Sequence, residues 1–367
     1  MTALAQPTAH TTFHTLRVAS VDNPTEDSAA ITLDVPPELA ETFAFRPGQH
    51  LTLRTKVDGV DVRRSYSICC SPASGVLRVA VKAVPDGAFS TYATTGIKVG
   101  DEVEVLAPAG TFTTAFDPQR TRHYAMIAAG SGITPILSLV TTALETEPDS
   151  QVTLIYGNRK SSTIMFLEEL ADLKDKYAGR FHLINVLSRE HTAVPMLNGR
   201  IDPERLAELT ELLVPVDSVD EWFLCGPFEM VIGTRDFLAA KGVPSGAVHF
   251  ELFHVEDKPR ERKERSEAGS ARPEDLSTIT MILGGRDASF DLERDTVSIL
   301  DAALEVRGDV PFACTGGVCG TCRCKVTEGE VEMEVNWALE PDEIDRGIRL
   351  ACQSRPLTPT VTVDFDI

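Results

Sequence analysis

From His14 to about Ala107, apolar residues recur at alternate positions or in short runs: HTLRVASVD, AAITLDVP, HLTLRTKVDGVDVRRSYSIC, VLRVAVKAV and DEVEVLAP. These stretches are rich in Val, Ile, Leu and Thr. Turn residues in RPGQ, PASG and PDG separate them, which is the pattern of closely spaced short strands. Such strands predict an antiparallel β-barrel or sandwich over 1–117. From about Arg122 the rhythm changes. Short apolar runs (HYAMIAA, QVTLIYGN, FHLINVLS, EWFLCGP) alternate with helix-period stretches (ITPILSLVTTALE, MFLEELADLKDKY, DPERLAELTELL, FEMVIGTRDFLAAKG). Strand and helix in alternation predict an α/β doubly wound parallel sheet over 118–255.

The stretch EDKPRERKERSEAGSARPED, 256–275, is charged and nearly free of apolar residues, so it reads as a flexible linker. Beyond it, 276–367 carries strands STITMILGG and ASFDLER, a helical SILDAALEVRG, a cysteine cluster, then CRCKVTEGEVEM and TVTVDFD. That is a small α+β domain. The expected chain is therefore multidomain.

A net charge of −20 argues against nucleic acid, because phosphate binding needs a basic face. No run of about 18 apolar residues exists to span a membrane. The opening MTALAQPTAHTTFHTL lacks the charged-then-apolar pattern of a signal peptide, so a cytoplasmic location is expected. Five of the eight cysteines fall near the end of the chain, which in a cytosolic protein suggests metal binding before disulfides.

Cys314-x4-Cys319-x2-Cys322, with Cys352 after 29 further residues, has the plant-type spacing for a 2Fe–2S cluster. Three thiolates come from one loop, and its glycines let backbone amides approach the sulfides. Structural zinc more often shows two separated C-x2-C pairs. Cys324 has the wrong spacing for a ligand and is expected in the small core.

Arg64-Ser65-Tyr66-Ser67 ends a barrel strand. Its Arg can pair with a flavin pyrophosphate, its Tyr can stack on the ring and its Ser can bond the reacting edge. A second element follows at Val81-Lys82 and at Asp86-Gly87-Ala88-Phe89-Ser90-Thr91, a Gly turn into a helix N-terminus, where free amides favour phosphate. Each alone also fits an ordinary strand or a plain capped helix. In the parallel-sheet domain, Gly130-Ser131-Gly132-Ile133-Thr134-Pro135 follows the first strand, where a dinucleotide binds in such folds. Pro135 suits an early helical position. Cys225-Gly226-Pro227 ends a later strand and points to the same crevice. Arg159 and Ser188-Arg189 follow strands where an acidic residue would read the ribose of NADH, so NADPH is the expected nucleotide. Arginines at strand ends are also ordinary surface residues.

RSYS, GAFST, AAGSGITP, YGNR, SRE and CGPFEM occur in the order of the ferredoxin–NADP reductase superfamily, which the chain resembles, and the last domain resembles plant-type ferredoxin. The fused order is similar to that of reductase components of multicomponent oxygenases. Within that group, GEVEMEVNWALEPDEIDRG and LACQSRPLTPTVTVDFD look most like reductase subunits of phenylacetyl-CoA epoxidases. Reductases of ketosteroid hydroxylases or of hybrid-cluster proteins stand as alternatives. The resemblance implies FAD held by Arg64, Tyr66, Ser67, Lys82, Ser90 and Thr91, with Phe253 covering the flavin and Glu251 near the hydride path. It implies NADPH lined by Thr134, Arg159, Ser188, Arg189, Gly226 and Met230, and electrons leaving one at a time to a di-iron oxygenase. A non-catalytic redox-responsive module would have lost flavin or nucleotide motifs, and none is lost.

Overall fold

The computed structural model describes residues 12–253 and 272–367. Strands β1 (His14–Asp22), β2 (Ser28–Asp34), β3 (His50–Val57), β4 (Val60–Ser67), β5 (Leu77–Lys82) and β6 (Glu102–Val105) form one antiparallel sheet in the order β4-β3-β6-β1-β2-β5. A bridge between Ile68 and Val79 joins its two ends and closes a barrel. The long apolar run read from the sequence is a hairpin. It turns at Asp58-Gly59, both left-handed (φ 51° and 81°), as a two-residue turn requires. Alternation sends Leu51 and Leu53 into the barrel core with Val79, Val103 and Val105. Helix α1 (Ala88–Thr95) closes one end of that core with Phe89 and Ala93.

The second unit runs β7 (His123–Ala129), α2 (Ile133–Thr146), β8 (Gln151–Asn158), α3 (Leu167–Lys176), β9 (Phe181–Leu187), α4 (Pro203–Leu212), β10 (Glu221–Gly226), α5 (Phe228–Ala240) and β11 (Val248–Leu252). Its strands are all parallel in the order β11-β10-β7-β8-β9. The chain winds one way from β7 and returns to its other side with β10. The carboxyl ends of β7 and β10 therefore flank the switch point where such sheets bind ligands. Both faces are covered, so β7 and β10 are apolar beyond their first residues, His123 and Glu221, rather than alternating.

The third unit contains β12 (Leu276–Leu283), β13 (Arg286–Glu293), α6 (Ile299–Val306), β14 (Arg323–Glu328), β15 (Val331–Met333), α7 (Pro341–Asp345), β16 (Ile348–Leu350), β17 (Ser354–Pro356) and β18 (Thr360–Asp364). The main sheet is β13-β12-β18-β14-β16, with α6 packed on it. Ser298 caps α6 by accepting from the Asp301 amide at 3.1 Å. The stretch CRCKVTEGEVEM splits at Gly329, where a Cβ would lie 2.2 Å from the Thr360 carbonyl oxygen. The two halves join different sheets. Cys324 is fully buried in this core, as its spacing suggested.

Of the expected linker, 256–271 lies outside the described residues. Its last residues belong to the third unit. Pro273–Asp275 forms a 3₁₀ turn, and the Arg272 guanidinium donates to Asp275 at 2.9 Å. The reading of the first eleven residues also lies outside the described part. Among the described residues, no helix is long and apolar enough to cross a membrane.

The third unit packs on the other two. On the outer face of β3–β4, Arg63 and Thr52 are only 5% and 3% exposed because this unit covers them. Trp337 meets Phe228 of α5 edge to face, with ring centroids 5.5 Å apart.

Candidate functional site

The end of β4 presents the flavin motif. Strand alternation puts Arg64 and Tyr66 on one side and Ser65 and Ser67 on the other. Arg64 is exposed, with one N–H on the Arg63 carbonyl at 2.7 Å, which leaves the rest of its fork free. The Tyr66 ring lies against Phe89 of α1, and burial pushes its hydroxyl well above the ordinary phenol range. Ser67, buried, donates to Glu251 at 2.9 Å across 184 residues of chain. That bond joins the barrel to the end of β11. A ring-stacking Tyr, a buried hydroxyl and an exposed arginine on one strand end fit a flavin.

Other members of the flavin set have local duties. The Ser90 hydroxyl accepts from the Val84 amide at 3.2 Å and donates to the Gly87 carbonyl at 3.1 Å, so it builds the turn before α1. Gly87 is needed there, since a Cβ would sit 2.4 Å from that hydroxyl. Lys82 is paired with Asp27 at 3.1 Å. Val81 is fully buried in the barrel core and offers only its backbone. Thr91 is exposed on α1, and Phe253 follows β11 with 38% of its surface free.

The nucleotide motif forms a 3₁₀ turn, Gly130–Gly132, between β7 and α2. A Cβ on Gly132 would lie 2.1 Å from the Cys225 carbonyl oxygen, so only glycine lets the two strand ends close on each other. Gly130 is left-handed at φ 55°, and its carbonyl accepts from the Tyr156 hydroxyl at 2.9 Å. Pro135 falls in the first turn of α2. The Thr134 hydroxyl donates to the Ser131 carbonyl at 3.0 Å, a local bond. Pro227 caps α5 and Met230 packs beneath Gly226. The whole set converges at the switch point.

Beyond β8 and β9, the Ser188 and Arg189 amides bond the Asn158 and Arg159 carbonyls at 2.9 and 2.8 Å, which places Arg159 and Arg189 side by side. A cavity of about 310 Å³ opens there, lined in part by Ser188, Arg189 and Asn198. Ser161 was missed from sequence. Its amide and hydroxyl donate to the Glu190 carboxylate at 2.8 and 2.5 Å, which holds that carboxyl below the usual range. The Glu190 carboxylate is therefore held by Ser161, with the positive charge of Lys160 nearby.

His50 was also missed. It pairs with Ser67 across the hairpin, is buried, and lies 3.7 Å from Glu251 through Nδ1. Burial opposes its charge more than any one contact favours it, but the Glu251 bond together with the charges of Glu251 and Cys319 raises its pKa. Nε2 has no hydrogen-bond partner among the described residues. Cys225 is fully buried, and burial pushes its thiol well up.

The four spaced cysteines converge as two pairs. The Cys319 amide donates to Cys314 Sγ at 3.4 Å, and the bond between the two thiols pushes Cys314 up while holding Cys319 well down. Cys322 is likewise raised and Cys352 lowered by the bond between them. Gln353 Nε2 donates to Cys352 Sγ at 3.8 Å and to the Thr315 carbonyl at 2.7 Å. Among the described residues, no three Cys, His, Asp or Glu side chains close on a single point as one metal ion requires. One thiol pair for each iron fits a 2Fe–2S cluster.

Three family models match the chain. They are an oxidoreductase FAD-binding domain over 15–114, an oxidoreductase NAD-binding domain over 126–236 and a 2Fe-2S iron-sulfur cluster binding domain over 281–357. A 1,2-phenylacetyl-CoA epoxidase component of Escherichia coli K12 is 48% identical over 97% of this chain and 98% of its own. The ferredoxin reductase component of 3-ketosteroid-9-alpha-monooxygenase from Rhodococcus rhodochrous is 35% identical over 95% and 96%. Among solved structures, phthalate dioxygenase reductase is described as a modular structure for electron transfer from pyridine nucleotides to [2Fe-2S]. It is 25% identical, with a TM-score of 0.60, over 96% of this chain and 98% of its own.

Proposed function

We propose, since this chain belongs to the family of oxygenase reductase components that carry FAD-, NAD- and 2Fe–2S-binding domains on one polypeptide, that it takes reducing equivalents from NADPH and delivers electrons singly to a di-iron oxygenase, above all a phenylacetyl-CoA epoxidase. The observation that carries this reading is the contact between the cysteine loop and the flavin hairpin, with Thr321 Oγ1 3.2 Å from Thr52 Oγ1. Bound FAD splits a two-electron hydride into single electrons, and the cluster relays them. Arg64 and the start of α1 would hold the pyrophosphate, Tyr66 would stack on the flavin ring, and Phe253 would cover it. Ser67 would bond the reacting edge of the flavin, with Glu251 beside the hydride path. Arg159, Ser188 and Arg189 receive the 2′-phosphate. The domain limits that go with this reading are 1–117, 118–255, a linker that begins at 256, and a third unit of 276–367 to which 272–275 also belong. The reading goes with a cytoplasmic location, where thiols stay reduced and available to a cluster.

The test combines NADPH, this protein and the oxygenase components of a phenylacetyl-CoA epoxidase. Phenylacetyl-CoA turnover is expected. Turnover only with a ketosteroid oxygenase would reassign the partner. Residues 276–367 hold 8 Lys and Arg against 17 Asp and Glu, net −9. Docking to a basic patch should therefore be charge-steered. Transfer to the oxygenase is expected to slow steeply with salt, while NADPH-to-cluster transfer within one chain changes little.

Arg189→Ala tests the nucleotide reading. Losing a charge-assisted contact to phosphate costs roughly 1.5–3 kcal/mol. The KM for NADPH should rise by on the order of tenfold to a hundredfold, with NADH nearly unchanged. Equal effects on both nucleotides would remove the 2′-phosphate role.

A further inference from the structure

The outer face of the β3–β4 hairpin carries three cross-strand pairs in a row: His50 with Ser67, Thr52 with Ser65, and Arg54 with Arg63. The first pair reaches Glu251 and the last reaches the third domain. The middle pair links the two. Ser65 Oγ lies 3.2 Å from Thr52 Oγ1, Thr52 Oγ1 lies 3.2 Å from Thr321 Oγ1, and Thr321 Oγ1 lies 3.2 Å from Cys319 Sγ. A chain of hydroxyls thus runs from the flavin motif to one cysteine of the cluster loop, across a domain boundary. Thr52, at 3% exposure, has no water to compete for these bonds.

A free Cys319 thiol donates to Thr321, but a thiolate ligand can only accept. With the cluster in place, the donors must therefore run Ser65 to Thr52 to Thr321 to Cys319, each bond polarising the next. Hydrogen bonds to a ligand sulfur stabilise the added negative charge of the reduced cluster and raise its potential. Thr52 belongs to the barrel, so its contribution exists only while the third domain is docked.

We propose that the Ser65–Thr52–Thr321 chain is an interdomain potential switch: docking on the hairpin raises the cluster's potential for electron uptake, and release from Thr52 lowers it, making the cluster a stronger reductant toward the oxygenase. Thr52 and Thr321 are positioning residues in this scheme. The step they serve moves one electron from NADPH-reduced flavin to the oxidised cluster, so that one ferric iron becomes ferrous. No bond forms or breaks at the hydroxyls, and no proton leaves them. The scheme rests on the electron-transfer reading above.

The test is a potentiometric titration of the full-length holoprotein, followed by electron paramagnetic resonance. In Thr321→Val the reduction equilibrium should fall about tenfold, or about 60 mV toward lower potential. Thr52→Val, which touches no ligand, should fall about threefold, or about 30 mV, in the same direction. Thr52→Ser keeps the hydroxyl and should titrate with wild type. The Thr52→Val/Thr321→Val double variant should fall no further than Thr321→Val alone, because Thr52 acts through Thr321. NADPH should reduce the flavin of Thr52→Val at the wild-type rate. A Thr52→Val potential equal to wild type, or additive effects in the double variant, would overturn the switch. Absence of a reduced 2Fe–2S signal in the wild-type protein would instead overturn the electron-transfer reading itself.

Discussion

Cys319→Ser protein is expected to lose its iron and its visible cluster absorbance, and to stop reducing cytochrome c and the oxygenase, while reduction of ferricyanide by NADPH continues. Serine offers a harder, more basic oxygen in place of a thiolate, and a 2Fe–2S cluster needs soft donors. Cys319 is the informative ligand to remove. Cys322 and Cys352 are part of the third domain's apolar core, so changing either disturbs packing as well as ligation. Cys319 lies on the loop at the barrel contact and outside that core. The flavin and nucleotide motifs sit in the other two domains, so ferricyanide, which takes electrons from flavin directly, should report an intact front half. Iron analysis should fall from about two irons per chain, the content of one cluster, to background. Retained iron with cytochrome c reduction, or zinc in wild-type protein grown with full iron supply, would remove the cluster assignment.

Arg63→Ala is expected to release the third domain from the barrel. The Arg63 guanidinium donates to the Val310 carbonyl at 3.0 Å and to the Gly308 carbonyl at 2.7 Å, and it lies over the Phe312 ring at 4.5 Å. All three belong to the segment leading into the cysteine loop. Charge-assisted bonds in a site only 5% exposed are worth more than surface pairs. Losing both should weaken docking by about 3 kcal/mol, which shifts the ratio of docked to released protein by on the order of a hundredfold. NADPH should still reduce the flavin at the wild-type rate, since Arg64 and not Arg63 serves the flavin motif. Cluster reduction within the chain should slow in stopped flow, and small-angle scattering should show a more extended particle. Wild-type rate and scattering in Arg63→Ala would mean that other contacts, such as Phe228 with Trp337, hold the pose.

Much of this protein is decided by short stretches of chain. The loop from Cys314 to Cys322 contains three of the four thiols proposed for the cluster, and a plant-type spacing is set within that one loop. The Gly130–Gly132 turn works within a few residues, and strand alternation requires only neighbours. These features were legible because the forces that shape them are local. The flavin set was legible only in part. Val81 has the right neighbours but an inward side chain, and the Ser90 and Thr134 hydroxyls close their own turns. What the chain alone could not decide was which of two adjacent arginines meets a cofactor and which meets a domain. Alternation places Arg63, Thr52 and His50 on the outer face of the hairpin, where a barrel residue ordinarily meets water. They are buried only because a domain more than two hundred residues later in the chain covers that face, and because Glu251 arrives beside Ser67 from the last strand of the parallel sheet. Desolvation by distant elements, which no local pattern encodes, turned three surface-patterned side chains into a buried junction between the barrel, Glu251 and the third unit.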